Sequence, residues 1–144
     1  MAEAYDPNNV FARILRGELP AERVWEDERT LAIMDIMPRA DGHVLVLPKH
    51  PARTLLDLPV DELGPLMGSV QRVARAVRDA IRADGLTVQQ FNESAGGQVV
   101  FHLHVHVLPR WEGVPLRPHT GAMAAPADLK RHADAIRAAL AAGA

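Results

Sequence analysis

Three histidines at alternate positions constrain the fold of this chain more than any other feature. They are His102, His104 and His106, and apolar residues fill the positions between and around them. This period of two is typical of a β-strand that is buried on one face. Because alternate side chains of a strand point to the same side, the three imidazoles are expected to share one face. Pro109 cannot donate a ladder hydrogen bond, so the strand is predicted to end near Leu108.

A face of three imidazoles is costly to bury without partners, and three interpretations are open. The histidines can be structural, each satisfied by hydrogen bonds. They can bind a metal, although at about 3.3 Å per residue His102 and His106 lie roughly 13 Å apart, too far for one ion with ligands at about 2.0–2.1 Å. They can also perform phosphorus chemistry, because a neutral imidazole is a good nucleophile and its neighbours can hold an anion or assist a leaving group.

Length and composition limit the class of protein. The chain has 144 residues, enough for one domain over residues 1–144, and its formal net charge of −2 argues against a general nucleic-acid binder. It has no cysteine, so a disulfide or thiolate metal site is impossible. Residues 1–9 show no secretory signal, and the longest aliphatic run, residues 44–47, is too short to span a bilayer. These features predict a cytoplasmic protein without membrane contact.

Hydrophobic periodicity and turn residues predict three helices and five strands. The helices are expected at residues 9–16, 61–84 and 126–142, with Gly17 and Gly85 ending the first two. The strands are expected at residues 23–26, 30–36, 43–48 and 86–92 and at the histidine segment. Few crossover helices are available, which favours an α+β fold with a largely antiparallel sheet. The core is expected at about residues 9–110, with residues 111–144 forming a C-terminal tail and helix.

Longer segments follow the pattern of a known family. Residues 102–108, His-Leu-His-Val-His-Val-Leu, resemble the His-φ-His-φ-His-φ-φ motif of the histidine triad superfamily, in which φ is an apolar residue. The loop at residues 96–98, Gly-Gly-Gln, resembles that family's phosphate loop. Residues 11–20 resemble its opening helix and turn, and residues 35–50 resemble its central block. The resemblance runs from about Asn9 to Arg110.

The resemblance implies a HIT-like fold: a five-stranded antiparallel sheet with one long helix and short terminal helices. It also implies a homodimer that joins two sheets and a purine nucleotide or nucleotide conjugate as ligand. The implied activity is that of a nucleotide hydrolase or transferase that attacks an α-phosphorus, forms a nucleotidyl-histidine intermediate and releases a nucleoside monophosphate. Either a purine nucleoside phosphoramidate or a dinucleoside polyphosphate fits as substrate.

The resemblance also assigns roles to individual residues. His104 is the expected nucleophile, and His106 is expected to hydrogen-bond the bridging atom of the substrate. His102 supports the site, with His43 behind it. The other implied contacts are with phosphate (Gly97, Gln98 and the neighbouring Asn92 and Val99), with ribose (Asp35) and with the base (Phe11, Ile14, Leu19 and Ile36).

Two departures from the family pattern and two alternative functions complete the predictions. Position 99 is valine, where several members carry a hydroxyl. Asp6 and Asn9 stand where some bacterial members have zinc-binding cysteines, so neither metal nor cofactor is predicted. One alternative is a nucleotide-binding regulatory protein with negligible turnover. The other is a cupin-like metal enzyme using His-x-His and Glu112, although Glu112 follows His106 at a long spacing and the predicted helical content is high.

Overall fold

The structure is a computed structural model that describes residues 4–118 and 121–143. Its helices are α1 (Val10–Leu15), α2 (Val60–Ile81) and α3 (Pro126–Ala141). Its strands are β1 (Arg23–Glu26), β2 (Thr30–Met34), β3 (Val44–Pro48), β4 (Gly85–Gln89) and β5 (Val105–Arg110). Two short 3-10 helices cover Leu55–Asp57 and Ser94–Gly96.

The five strands form one antiparallel sheet in the order β1-β2-β3-β5-β4. The predicted α+β fold is therefore confirmed, and a cupin-like barrel is excluded because this sheet is open, with β1 and β4 at its edges. Among the described residues, the helices fall short of the length and apolarity needed to cross a bilayer.

Strand β3, at the centre of the sheet, is apolar on both faces because each face of the sheet has its own core. Val44 and Val46 of β3 pack in the larger cluster, which α2 and α3 share with the sheet. Leu45 and Leu47 pack in a smaller cluster with Phe11 of α1 on the opposite face. The ladder pairs Leu45 with His106, and paired residues lie on the same face of a sheet. His106 is thereby directed to the face that α1 covers only in part.

The long helix ends earlier than predicted. Gly85 was expected to terminate it, but α2 ends at Ile81 and Gly85 opens β4. Arg82 takes the left-handed conformation at φ 54°, and its backbone N–H donates to the carbonyl of Arg78. The oxygen of Arg82 then accepts the indole N–H of Trp111 at 3.0 Å. The hydrogen bond from Trp111 thus accompanies a left-handed conformation of Arg82 at the end of α2. Glycine would adopt this conformation with less strain.

The histidine strand also has other limits than predicted. The strand β5 begins at Val105, so residues 99–104 lie outside the ladder, and it continues through Pro109 to Arg110. The carbonyl of Arg110 accepts the N–H of Asp84, which directs the backbone groups of Arg110 toward β4. By alternation the nitrogen of Pro109 faces the β3 side, beyond the last pair, Val44 with Val107. Pro109 therefore removes no ladder hydrogen bond, and the strand ends at Arg110, two residues beyond the predicted end near Leu108.

Candidate active site

A cavity of about 500 Å³ lies on the α1 face of the sheet, within the usual size range of small-molecule sites. Nine of the predicted site residues line it: Phe11, Ile14, Leu19, Asp35, Ile36, Gly97, Val99, His104 and His106. The other four, His43, His102, Asn92 and Gln98, lie outside this lining. The wall is mainly apolar, and the polar groups are gathered at the two imidazoles and one carboxylate.

Helix α1 supplies the wall that faces the histidines. The side chain of Asn9 caps the helix by accepting the N–H of Ala12 at 2.9 Å. Phe11 and Ile14, three positions apart, fall on one side of this helix and are both buried. The ring of Phe11 meets His104 edge to face, with 4.8 Å between centroids. The helix therefore lines the cavity and also fixes the ring of His104.

The hydrogen bond of His104 determines which of its nitrogens is protonated. Its Nδ1 lies 2.6 Å from the carbonyl oxygen of His102. A carbonyl can only accept, so Nδ1 carries the proton in the neutral ring and Nε2 carries the lone pair. His104 thus presents an unprotonated nitrogen from a ring that lines the cavity.

His106 has the opposite tautomer, because its partner is the histidine behind it. The backbone N–H of Arg39 donates to Nδ1 of His43 at 3.1 Å, which places the proton of neutral His43 on Nε2. Nε2 of His43 lies 2.9 Å from Nδ1 of His106, and its N–H donates to that nitrogen. The proton of His106 is then on Nε2. The rings of His104 and His106, with 5.0 Å between centroids, therefore supply one basic nitrogen and one N–H donor to the same cavity.

A carboxylate joins this pair and raises the question of a metal ion. Oδ2 of Asp35 lies 3.5 Å from Nε2 of His43, and one ligand atom from each of Asp35, His43 and His106 lies within 4.8 Å of the others. Two histidines and a carboxylate are a familiar ligand set. An ion on Nε2 of His43 would require the proton on Nδ1, where the N–H of Arg39 already donates. In this arrangement Nε2 of His43 carries a proton, so it does not offer a lone pair to an ion.

His102 lies behind the cavity instead of lining it. It is fully buried, its Nε2 lies 2.8 Å from the carbonyl oxygen of Pro48, and its Nδ1 lies 2.6 Å from the hydroxyl of Tyr5. Burial lowers the pKa of His102 to about 4, so the ring is neutral near pH 7. Its contribution to the site is structural, since its carbonyl holds the Nδ1 proton of His104.

The buried ring makes the stability of the protein depend on pH. The unfolded chain binds a proton at position 102 below the ordinary histidine pKa of about 6.5, whereas the folded chain binds it only near pH 4. The contribution of His102 to the free energy of unfolding is therefore expected to fall by about 3 kcal/mol as the pH drops from 6.5 to 4. Urea denaturation across this range, with the slope against pH as the readout, measures it.

His102→Gln is the test variant, because its amide N–H can still reach the carbonyl of Pro48. We expect a smaller slope for this variant than for the wild type between pH 6.5 and 5. Lowered carboxyl pKa values, such as those of Glu26 and Asp27, act mainly below this window. Equal slopes for wild type and His102→Gln would show that the ring of His102 is not the group responsible.

The loop before the histidines holds itself together through its polar groups. The side-chain oxygen of Gln98 accepts the N–H of Glu93, and its amide donates to the carbonyls of Arg53 and Val100. The backbone N–H groups of residues 96–98 donate within the loop to Glu93 or Ser94. The amide of Gln98 therefore braces the loop where a direct phosphate contact was expected. Asn92 is similarly engaged, accepting the N–H of Leu55.

Glu93 is the point at which this loop is fixed. Its φ of 63° and ψ of 166° lie in a region that residues other than glycine rarely adopt. Both of its carboxylate oxygens contact the guanidinium of Arg53, at 2.8–3.2 Å. Its backbone N–H and carbonyl are also bonded within the loop, to Gln98 among others. The Arg53 contact lowers the pKa of Glu93 and keeps the carboxylate charged, so this pair holds the strained turn.

Phe91 is a cavity residue that the sequence patterns did not single out. Its ring lies 5.4 Å from that of His106, centroid to centroid, and within 3.5 Å of the position a Cβ would take on Gly97. The ladder pairs Gln89 with His106, so Phe91, two residues further along, falls on the same face. This signal exists only once the register between β4 and β5 is known.

Comparisons with known proteins agree with this geometry. A family model described as HIT domain matches residues 16–113. An uncharacterized HIT-like protein from Mycobacterium tuberculosis is 43% identical over 114 residues, 79% of each chain. The adenosine 5'-monophosphoramidase of Candida albicans is 31% identical over 105 residues, 70% of this chain and 69% of that protein.

Among solved structures, a Hit-like protein involved in cell-cycle regulation from Bartonella henselae, with an unknown ligand, superimposes with a TM-score of 0.89. It is 48% identical, and the match covers 94% of this chain and 99% of that one. The matched residues 16–113 contain the whole sheet, the three histidines and their loop. The chain therefore belongs to the HIT domain family.

Proposed function

We propose that this protein is a nucleotide hydrolase or transferase in which His104 attacks the α-phosphorus of a nucleotide conjugate. One observation carries the proposal: two imidazoles of opposite tautomer line the same cavity, His104 with an unprotonated nitrogen and His106 with an N–H donor. Attack on phosphorus needs the first group, and departure of a leaving group is assisted by the second.

The reaction divides into two steps. Nε2 of His104 forms a bond to phosphorus while the bond to the leaving atom breaks, and the departing electron pair accepts a hydrogen bond from Nε2–H of His106. A departing nitrogen takes its proton from water, whereas a phosphate needs none. The nucleotidyl ring of His104 is then cationic, and the carbonyl of His102 stabilises its Nδ1–H. Water then attacks phosphorus and releases one proton to solvent, the bond to His104 breaks with its electron pair returning to Nε2, and the nucleoside monophosphate leaves.

The shape of the cavity supports a nucleotide as the occupant. Phe11, Ile14, Leu19 and Ile36 provide apolar surfaces for a base, and Asp35 provides an acceptor for ribose hydroxyls. The family relative named as an adenosine 5'-monophosphoramidase favours an adenosine phosphoramidate as the first substrate to test. The proposal includes a homodimer, because β4 lies at the sheet edge, where a strand of a second copy can add. A cytoplasmic location and the absence of nucleic-acid partners stay predictions.

A specific feature favours a second candidate, a nucleotide-binding protein with very slow turnover. Val99 lines the cavity and is 69% exposed, and its aliphatic side chain offers the phosphate or leaving group no hydroxyl. The N–H groups of Gly97 and Gln98 are already used inside the loop. Phosphate contacts would then rest mainly on the two imidazoles, which limits the stabilisation available to the transition state.

Intact-protein mass spectrometry after mixing with an adenosine phosphoramidate separates the two candidates. The hydrolase is expected to show a mass increase of one adenylyl group, with AMP appearing as the adduct decays. Quenching must avoid acid, because the phosphorus–imidazole bond is acid-labile. Tight binding of AMP without adduct or AMP release would support the binding protein, and no binding of AMP would remove the nucleotide proposal altogether.

A further inference from the structure

We propose that Tyr5 is a positioning residue for catalysis, acting on the nucleophile through His102. This inference rests on the proposed function, because it concerns how the ring of His104 is held. Tyr5 lies outside the residues 16–113 that match the family model, and it is the single tyrosine of the chain. Its hydroxyl lies 2.6 Å from Nδ1 of His102, and the two rings meet edge to face with 5.6 Å between centroids.

The position of His102 matters because its carbonyl sets the tautomer and the placement of His104. That carbonyl lies 2.6 Å from Nδ1 of His104, and β5 begins only at Val105. The ladder of the sheet therefore does not extend to residue 102. Its backbone is placed instead by the anchors of its side chain and by the neighbouring N–H of Leu103, which donates to Ala52.

The direction of each hydrogen bond in this chain of contacts is fixed. The carbonyl of Pro48 can only accept, so the proton of neutral His102 is on Nε2. Its Nδ1 must then accept, and the hydroxyl of Tyr5 must donate. Without that hydroxyl, a fully buried ring nitrogen would lose its partner and His102 would keep one side-chain anchor of two.

Tyr5 is suited to this task by its surroundings. Burial raises the pKa of Tyr5 above its ordinary value, so its hydroxyl stays protonated and able to donate across the working pH range. Tyr5 also shares a side-chain hydrogen bond with Asn9, the residue that caps α1. The segment before α1 is thus connected both to the wall of the cavity and to the residue that orients the nucleophile.

The test compares Tyr5→Phe with Ser69→Ala, which also removes a hydroxyl that is hydrogen-bonded inside the protein. The hydroxyl oxygens of Ser69 and Thr30 are 2.7 Å apart, and this pair lies outside the cavity lining. We expect Tyr5→Phe to lower kcat about tenfold and to change KM little. The expected loss in kcat is smaller than the roughly 10²-fold that a 1 Å misplacement of reacting groups can cost, because one of the two side-chain anchors of His102 remains. Ser69→Ala is expected to lower thermal stability but not kcat. Because Tyr5 is the sole tyrosine, biosynthetic incorporation of 3-fluorotyrosine changes this ring alone, retains the hydroxyl and is expected to preserve kcat.

A second readout needs no turnover, so it remains informative if the phosphoramidate proves to be the wrong substrate. Imidazole ¹⁵N NMR of the unmutated protein is expected to show His102 protonated at Nε2 and His104 at Nδ1. In Tyr5→Phe the His104 Nδ1–H resonance is expected to shift or broaden. The opposite tautomer on either ring would overturn the inference, as would an unchanged His104 resonance and kcat in Tyr5→Phe. Loss of activity in the 3-fluorotyrosine protein equal to that in Tyr5→Phe would also overturn it. Absence of turnover in the wild type counts against the proposed function alone.

Discussion

His104→Asn is expected to abolish the nucleotidyl adduct and to lower kcat by at least about 10³-fold. In the wild type, Nδ1 of His104 lies 2.6 Å from the carbonyl oxygen of His102. Asparagine is chosen because its amide N–H lies close to the position of this Nδ1 and can still donate to that carbonyl. The variant therefore removes the attacking Nε2 and keeps the local hydrogen bond. The measurements are intact mass after a short mixing time and steady-state release of AMP.

Two observations keep this result interpretable. AMP should still bind His104→Asn, more weakly than the wild type, because the apolar wall around Phe11 is unchanged whereas one imidazole contact to the phosphate is lost. His132→Asn, on α3, controls for the loss of an imidazole as such and should leave the adduct intact. An adduct of normal yield on His104→Asn, or one mapped by peptide analysis to another histidine, would assign the nucleophile elsewhere.

Much of the fold could be predicted because it depends on local patterns. The continuous apolar run of β3, the alternation along β5 and the period of α2 identify strands and helix from residue order alone. The limits of these elements were less predictable. Arg82 ends α2 in a left-handed conformation that its side chain does not favour, and Pro109 continues β5 because the described pairing of β5 with β3 ends at Val107. Both outcomes depend on segments that are distant in sequence.

The candidate site divides in the same way. His104, His106 and Asp35 line the cavity, in agreement with the sequence pattern. They lie on or beside strands, where the alternation of side chains assigns each residue to one face of the sheet. The different positions of Gln98 and Asn92 could not be predicted, since an amide side chain suits a phosphate or a backbone carbonyl equally well. Only the fold shows that backbone groups around Glu93 and Leu55 occupy these amides.

Tautomers are a further property that residue order does not carry. His104 and His106 look alike in the sequence and are two positions apart on the same face. One donates its Nδ1–H to a carbonyl, and the other accepts at Nδ1 from His43, whose own tautomer is set by the backbone N–H of Arg39. The different roles of the two rings therefore come from two main-chain groups in separate segments, the carbonyl of His102 and the N–H of Arg39, the second acting through His43.

These different roles lead to the second large effect, expected for His106→Asn. The side-chain oxygen of asparagine can replace Nδ1 as the acceptor for Nε2–H of His43, 2.9 Å away in the wild type, but the Nε2–H donor to the leaving atom is lost. Removal of one donor at a developing negative charge typically costs about 10²–10³-fold in kcat. We expect a loss of this size with an amine leaving group, and a much smaller loss with an adenylyl 4-nitrophenyl ester.

The dependence on the leaving group distinguishes this role from general damage to the site. Rates for a series of adenylyl esters and amides should fall more steeply with leaving-group pKa in His106→Asn than in the wild type, because the variant no longer stabilises the departing charge. His50→Asn, an exposed histidine outside the cavity lining, is expected to keep the wild-type dependence. A uniform loss across the series would mean that His106 orients His104 or the phosphate, and the donor role would have to be assigned to another group in the cavity.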